Sequence, residues 1–292
     1  MKDAAHAELL EHEVFQKPFK VEPEFESRDT PSNYHSRNLS KDKLPDKIKV
    51  WRVQNEGRDG RRYGGAVSRS YGYTDSPDAE VLVKGYNTGK EYGAVGVGRH
   101  GNFLQWGYWA PPSLMTEAGR KLFLNCICYI RRFDGKASLI RAVSHHRMNT
   151  IRIAPGVDRL RKSAEENKRI TPYIPMDLLN KYAGDPEGLK QFYRDNLEFV
   201  YQDRIFQVDN KLKSLGLDSN RSLESLERLI SFLQDETKAD TARLLLTRYT
   251  NQSFKDADGW RQWFENNRDR IFFSDMGGYK FSVVPKGYMD NK

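Results

Sequence analysis

Two textures divide this 292-residue chain, and their order limits the folds open to it. Between Ile48 and Trp109, apolar and polar residues alternate in short runs: IKVWRV from Ile48, AEVLVKG over 79–85, GAVGVGR over 93–99 and NFLQWGYW over 102–109. A period of two marks half-buried strands. From Met176 onward the apolar spacing is helical, over 176–183, 186–214, 222–234, 237–250 and 258–270. Strands first and helices afterwards predict an α+β chain.

Local signals place the boundaries. Pro111 and Pro112 stop the last strand, and Thr116 is set to cap a helix over 117–133 with Glu117 in its first turn. In that helix Leu122, Phe123, Cys126, Ile127 and Ile130 recur at helical spacing, a face expected to pack on the sheet. Near the end, IFFSDMGGYKFSVVP puts Gly277 and Gly278 between two alternating runs, a β-hairpin signal. Residues 1–47 read as an extended arm, because charges and Pro18, Pro23, Pro31 and Pro45 surround isolated Phe15, Phe19 and Phe25. The expected organisation is that arm, a β-rich half-domain over 48–136, a connector over 137–175 and a helical domain over 176–292 ending in the hairpin.

Several function classes are set aside on the sequence. No apolar run approaches the roughly 18 residues of a membrane span. The first twenty residues carry charges throughout with no apolar stretch, so the chain as written reads as cytoplasmic, or as exported if a leader was removed upstream. Cys126 and Cys128 would point to different faces of one helix, which argues against a disulfide or a cysteine metal site. The six histidines, at 6, 12, 35, 100, 145 and 146, lack metal-ligand spacing, so no metal is expected. Gly96, Gly98 and Gly101 spell G-x-G-x-x-G, but a strand follows where a dinucleotide site needs a helix N-terminus. They read as a hairpin turn, and no cofactor is expected. Neither G-x-S-x-G nor G-x-C-x-G occurs, so acyl-transfer chemistry lacks its nucleophile.

The net charge of +8 lies mostly in residues 51–150, which hold fifteen basic and eight acidic groups. It is spread over Arg52, Arg58, Arg61, Arg62, Arg69, Arg99, Arg131 and Arg132 without a sustained stripe, and reads as a solvated face first, with nucleic-acid binding through this middle third as a further alternative. The candidate site is the polar constellation beside the sheet: Asp75, Asp78 and Glu80, then Arg99, His100, Asn102 and Trp106. Arg99 and His100 occupy the glycine-flanked GRHGN tip, where a rigid scaffold displays loop side chains. Such a tip with aromatics behind it suits a protein or carbohydrate ligand in a non-catalytic binding or scaffold protein. The competing reading is a carbohydrate-active hydrolase using Asp75, Asp78 or Glu80 as acid and base. For the aspartates, bonding of local backbone amides around the Ser76-Pro77 turn is the simpler role.

The run from Asp75 to Gly135, with its order of strand, turn, strand, P-x-x-M-T and helix, resembles a segment of uncharacterised bacterial proteins, often exported. It is also similar to the closing part of class I glutamine-amidotransferase-like domains, including the trehalose-utilisation (ThuA-like) group. The helical end, with W-x-x-W-F-E-N-N-R and F-F-S-D-M-G-G-Y-K-F, resembles the tail of the same bacterial proteins. The 74 residues before Asp75 contain no cysteine to serve as the amidotransferase nucleophile. The resemblance therefore implies a truncated, non-hydrolytic relative with a link to sugar metabolism, and carries over no catalytic residue.

Overall fold

The computed structural model describes residues 3–37, 43–55, 63–141, 143–166 and 173–289. It is a mixed α+β chain that forms two compact units, 1–139 with 286–292 and 140–285.

In the first unit the expected arm is built into a sheet, which corrects that reading. Ala4–His6 (β1) and Phe25–Asp29 (β2) flank Lys47–Arg52 (β3), antiparallel, in the order β1-β3-β2. The segment between β1 and β2 contributes core: Val14, Phe15 and Val21 are buried, and the Phe15 ring meets Trp51 edge-on at 6.1 Å. Those three residues carry the burial, since Leu9 and Phe19 of the same segment stay exposed. The strands expected from the alternation are present as Ala79–Lys84 (β4), Val95–His100 (β5) and Phe103–Trp106 (β6), in the order β4-β5-β6. A bridge between Ala5 and Gly85 links β1 to the end of β4. Ser32–Ser36 (α1) and Tyr71–Thr74 (α2) are single turns.

The helix Glu117–Ile130 (α3) starts where expected, with Thr116 Oγ1 accepting from Gly119 N at 3.0 Å. Gly119 lets α3 approach the end of β3, since a Cβ there would lie 2.0 Å from Val53 O. The buried face of α3 is Leu122, Asn125, Cys126 and Tyr129, while Ile127 is 43% exposed. The expected face was rotated because Asn125, a polar residue, turns inward to bond the arm. Its Nδ2 donates to Val14 O and Phe19 O, and its Oδ1 accepts from Phe19 N.

The second unit absorbs the expected connector. Met148–Ile153 (α4) and Val157–Glu166 (α5) lie in that stretch, and Ile151, Ala154 and Val157 are buried. Met176–Lys181 (α6) follows, then Pro186–Asp195 (α7), capped by Asp185. The helix expected over 186–214 is broken by an antiparallel hairpin, Val200–Asp203 (β7) and Ile205–Val208 (β8), before Asn210–Ser214 (α8). Val200, Tyr201, Ile205, Phe206 and Val208 favour strand, and Arg204 takes the positive φ of 62° that closes the turn. Leu223–Phe232 (α9), capped by Ser222, Ala239–Thr250 (α10) and Ala257–Asn267 (α11) enclose a core that includes Leu226, Leu245, Trp260 and Phe264. The chain then forms the expected hairpin, Ile271–Ser274 (β9) with Lys280–Val283 (β10). Among the described residues, no helix is long and apolar enough to cross a membrane.

Candidate functional site

The β4-β5 register sets Glu80 opposite Arg99 and Ala79 opposite His100, with Asp78 just before β4. Two carboxylate-centred clusters result. Glu80 Oε1 accepts from Arg99 Nε at 2.5 Å and from Tyr129 OH, while His12 Nε2 lies 3.4 Å from Oε2. Because His12 Nδ1 accepts from Val14 N, its proton sits on Nε2 and faces the carboxylate. Burial alone would raise the Glu80 pKa, but the hydrogen bonds from His12, Tyr129 and Arg99 outweigh it and hold the carboxyl at about 2.

Asp78 is buried and equally committed. Its Oδ1 accepts from Ser76 Oγ at 2.5 Å and lies 3.4 Å from His100 Nε2; its Oδ2 accepts from Leu139 N at 2.9 Å and Tyr288 OH at 3.1 Å. Burial again pushes upward, and the nearby His100 ring with the bonds from Ser76 and Leu139 prevails, leaving a pKa of about 2. The amide-bonding role expected for Asp78 is real, though the amide is 61 residues away rather than local. Asp75 closes α2.

The displayed tip is a correction. Arg99 is 3% exposed, its guanidinium 3.7 Å from the Phe133 ring centroid and its Nη1 donating to Gly101 O. Gly101, at φ 56°, is pressed against the chain at 136–138, where a Cβ would come within 2.7 Å of Lys136 O and Ser138 N. The turn itself is as expected, with His100 opposite Phe103 across the β5-β6 hairpin. Asn102 is exposed, and its N–H donates to Lys136 O. Trp106 packs edge-on against Phe123 of α3 at 4.9 Å.

Sequence reasoning missed His12, Tyr129 and Tyr288 as partners of this cluster. They stand 68, 49 and 210 residues from the carboxylates they bond, and no local pattern announces such pairings. The middle-third charge is also partly accounted for: Arg52, Arg69, Arg99 and Arg132 each form an ion pair with a carboxylate of their own unit. Arg58, Arg61 and Arg62 lie outside the described residues.

Acid and base catalysis by two carboxylates needs one of them protonated near neutral pH, so their pKa values must be driven apart. Here both are driven down. The cluster is arranged to hold β4, β5, α3 and the segment at His12 together, so Arg99→Ala is expected to destabilise the first unit by about 2 kcal/mol. It strips a charged partner from Glu80, which keeps His12 and Tyr129. Urea denaturation measures this; a change below about 0.5 kcal/mol, the surface-site range, would show that the pair contributes nothing. Among the described residues, no group of three or more His, Cys, Asp or Glu side chains is placed to hold a metal ion.

No family model matches this chain, and neither a curated protein nor a solved structure does.

Proposed function

We propose that this chain is a non-catalytic binding protein whose first unit takes a carbohydrate on two exposed aromatic rings, Phe103 of β6 and Trp109 three residues past its end. The observation that carries the reading is the exposure of Phe103 and Trp109, each 65% open to solvent. Side chains alternate across a strand. Leu104 and Trp106 belong to the inner side of β6 and Tyr108 is buried beyond its end, while Phe103 on the outer side and Trp109 stay in solvent. They lie six positions apart, a span of at most about 22 Å. Exposed aromatic faces stack on sugar rings and cost little entropy to present. The commitment of Asp78 and Glu80 to internal partners supports binding over hydrolysis, and the resemblance to ThuA-like proteins agrees with a sugar ligand.

Glycan-array binding by the native chain, with loss of the same signals in Trp109→Ala and Phe103→Ala, is the expected result. Both variants should stay within about 0.5 kcal/mol of native stability, as exposed sites do. An array on which native and Trp109→Ala chains give the same pattern would refute the proposal. So would glycoside hydrolysis abolished by Glu80→Gln.

A further inference from the structure

Among the described residues β2 is an edge: in the order β1-β3-β2 it pairs with β3 on one side only. The direction of its peptide groups follows from bonds on the far side of β3. Ala7 N donates to Lys49 O and Val53 N donates to Asp3 O, so Lys49 and Val53, with Trp51 between them, turn toward β1. Ile48 and Val50 therefore turn toward β2, where their register partners are Arg28 and Glu26. Phe25, Ser27 and Asp29 are left directing N–H and C=O outward. Asp29 O accepts one bond there, from Tyr86 OH at 2.9 Å, and keeps a second lone pair. Two open grooves run along this edge, of about 690 and 530 Å³; Phe25 and Glu26 line the first, Ser27, Arg28 and Asp29 the second.

The sequence of the edge is complementary to itself. Laid antiparallel on a second copy and centred on Ser27, Phe25-Glu26-Ser27-Arg28-Asp29 puts Ser27 opposite Ser27, Glu26 opposite Arg28 and Phe25 opposite Asp29. The hydrogen-bonded pairs in that register are the outward-facing residues 25, 27 and 29. Glu26 and Arg28 then meet at the closer, non-hydrogen-bonded positions, where unlike charges attract; within each copy Arg28 already holds Asp3 and Glu26, so the pairs across the seam extend that network. Sliding by one residue points the wrong peptide groups at the partner, and sliding by two sets Glu26 on Glu26 or Arg28 on Arg28. Flanking charge agrees: Glu22 and Glu24 line the groove at one end of β2 and Lys47 the groove at the other, and a two-fold axis lays each end beside its opposite. Pro23 and Pro31 bracket the pairing and limit it to these five residues.

We infer that β2 is a homodimer seam: a second copy of this chain adds its own β2 antiparallel across a two-fold axis at Ser27, joining two three-stranded sheets into one of six. The seam is short, so the association is weak, with a Kd in the micromolar range or above. Sedimentation velocity from about 1 µM to about 1 mM tests it across that range. The native chain is expected to move from monomer to dimer. Ser27→Pro removes an outward N–H that has no partner among the described residues, a change edge strands tolerate, and should weaken dimerisation at least about tenfold. In a Cys128→Ser background, which removes the exposed thiol, Ser27→Cys should cross-link to a covalent dimer under mild oxidation. Residues in a hydrogen-bonded pair have Cα atoms about 5.5 Å apart, within disulfide reach. Phe25→Cys in the same background should not, because it faces Asp29 of the second copy. A chain that stays monomeric throughout, a folded Ser27→Pro that dimerises normally, or equal cross-linking by Phe25→Cys would overturn the inference. Should Ser27→Pro fail to fold, the cross-linking pair decides.

Discussion

Replacing Asp275 with alanine is expected to destabilise the 140–285 unit by about 3–5 kcal/mol, the usual result of leaving a buried charge without its partner. The stranded charge would be Arg147, whose side chain is 1% exposed. Arg147 Nη2 donates to Asp275 Oδ1 at 2.7 Å, Nε donates to Oδ2 at 2.9 Å, and its backbone N donates to the same Oδ2. The rest of the guanidinium is equally engaged, with Nη1 on Leu197 O and Nη2 also on Asn220 Oδ1. Rings of Phe273 and Tyr279 lie within 5.7 Å of it. One ion pair thus ties the start of α4, the approach to β7 and the β9-β10 hairpin. Water cannot replace the lost carboxylate. Hydrogen exchange followed by mass spectrometry should show protection lost over 140–285 and kept over 3–139. Removing both charges, as in Arg147→Met with Asp275→Leu, should cost far less than Asp275→Ala alone, because no charge is then stranded. A single variant that costs under about 1 kcal/mol would mean that the guanidinium is solvated after all.

The elements legible in the sequence are those specified by their own residues. Thr116 and Ser222 cap their helices through side-chain oxygens a few positions upstream of the amides they bond, and the hairpin at 271–283 carries its turn glycines. Short edge strands were not legible. Phe25-Glu26-Ser27-Arg28-Asp29 carries two charges on one side and a single apolar residue, Phe25, on the other because it borders solvent, and that composition looks like unstructured chain. The segment 186–214 failed for another reason: Leu189, Phe192 and Tyr193 continue into Leu197 and Val200 at helix-compatible spacing, and that period masks the strand preference of the residues from Val200 to Val208 that form the hairpin. In the candidate site, residue types were readable and their roles were not. Arg99 between glycines looked displayed, yet it is the cross-strand partner of Glu80 and is roofed by Phe133, which arrives from the far end of α3.

Acid should weaken both units through two histidines before it reaches their carboxylates. His6 sits among Tyr34, Tyr86 and Tyr92, with Nε2 3.0 Å from Tyr34 OH. Burial lowers its pKa to about 4, Lys84 adding to the effect and Glu8 opposing it. In the other unit, burial likewise lowers His146 to about 4, although Asp275 pulls the other way. Its Nδ1 is occupied by the Met148 amide. In the unfolded chain both rings bind a proton near pH 6.5, so between about 6.5 and 4 the unfolded state holds more protons than the native one. Stability is therefore full above about pH 6.5, falls as pH drops toward 4, and stops changing on this account below that. At 1.36 kcal/mol per pKa unit, each histidine contributes about 3 kcal/mol to the loss. Asp78 and Glu80 act lower down, because their stabilisation is present above about pH 4.5 and is lost as pH falls toward 2. Urea denaturation across pH 7 to 3, read by hydrogen exchange in each unit, should show a first decline shared by the two. His6→Gln should flatten that decline over 3–139 only and leave the 140–285 profile unchanged. An unaltered slope over 3–139 in that variant would show that His6 titrates normally in the folded chain and that its aromatic surroundings do not exclude the charge.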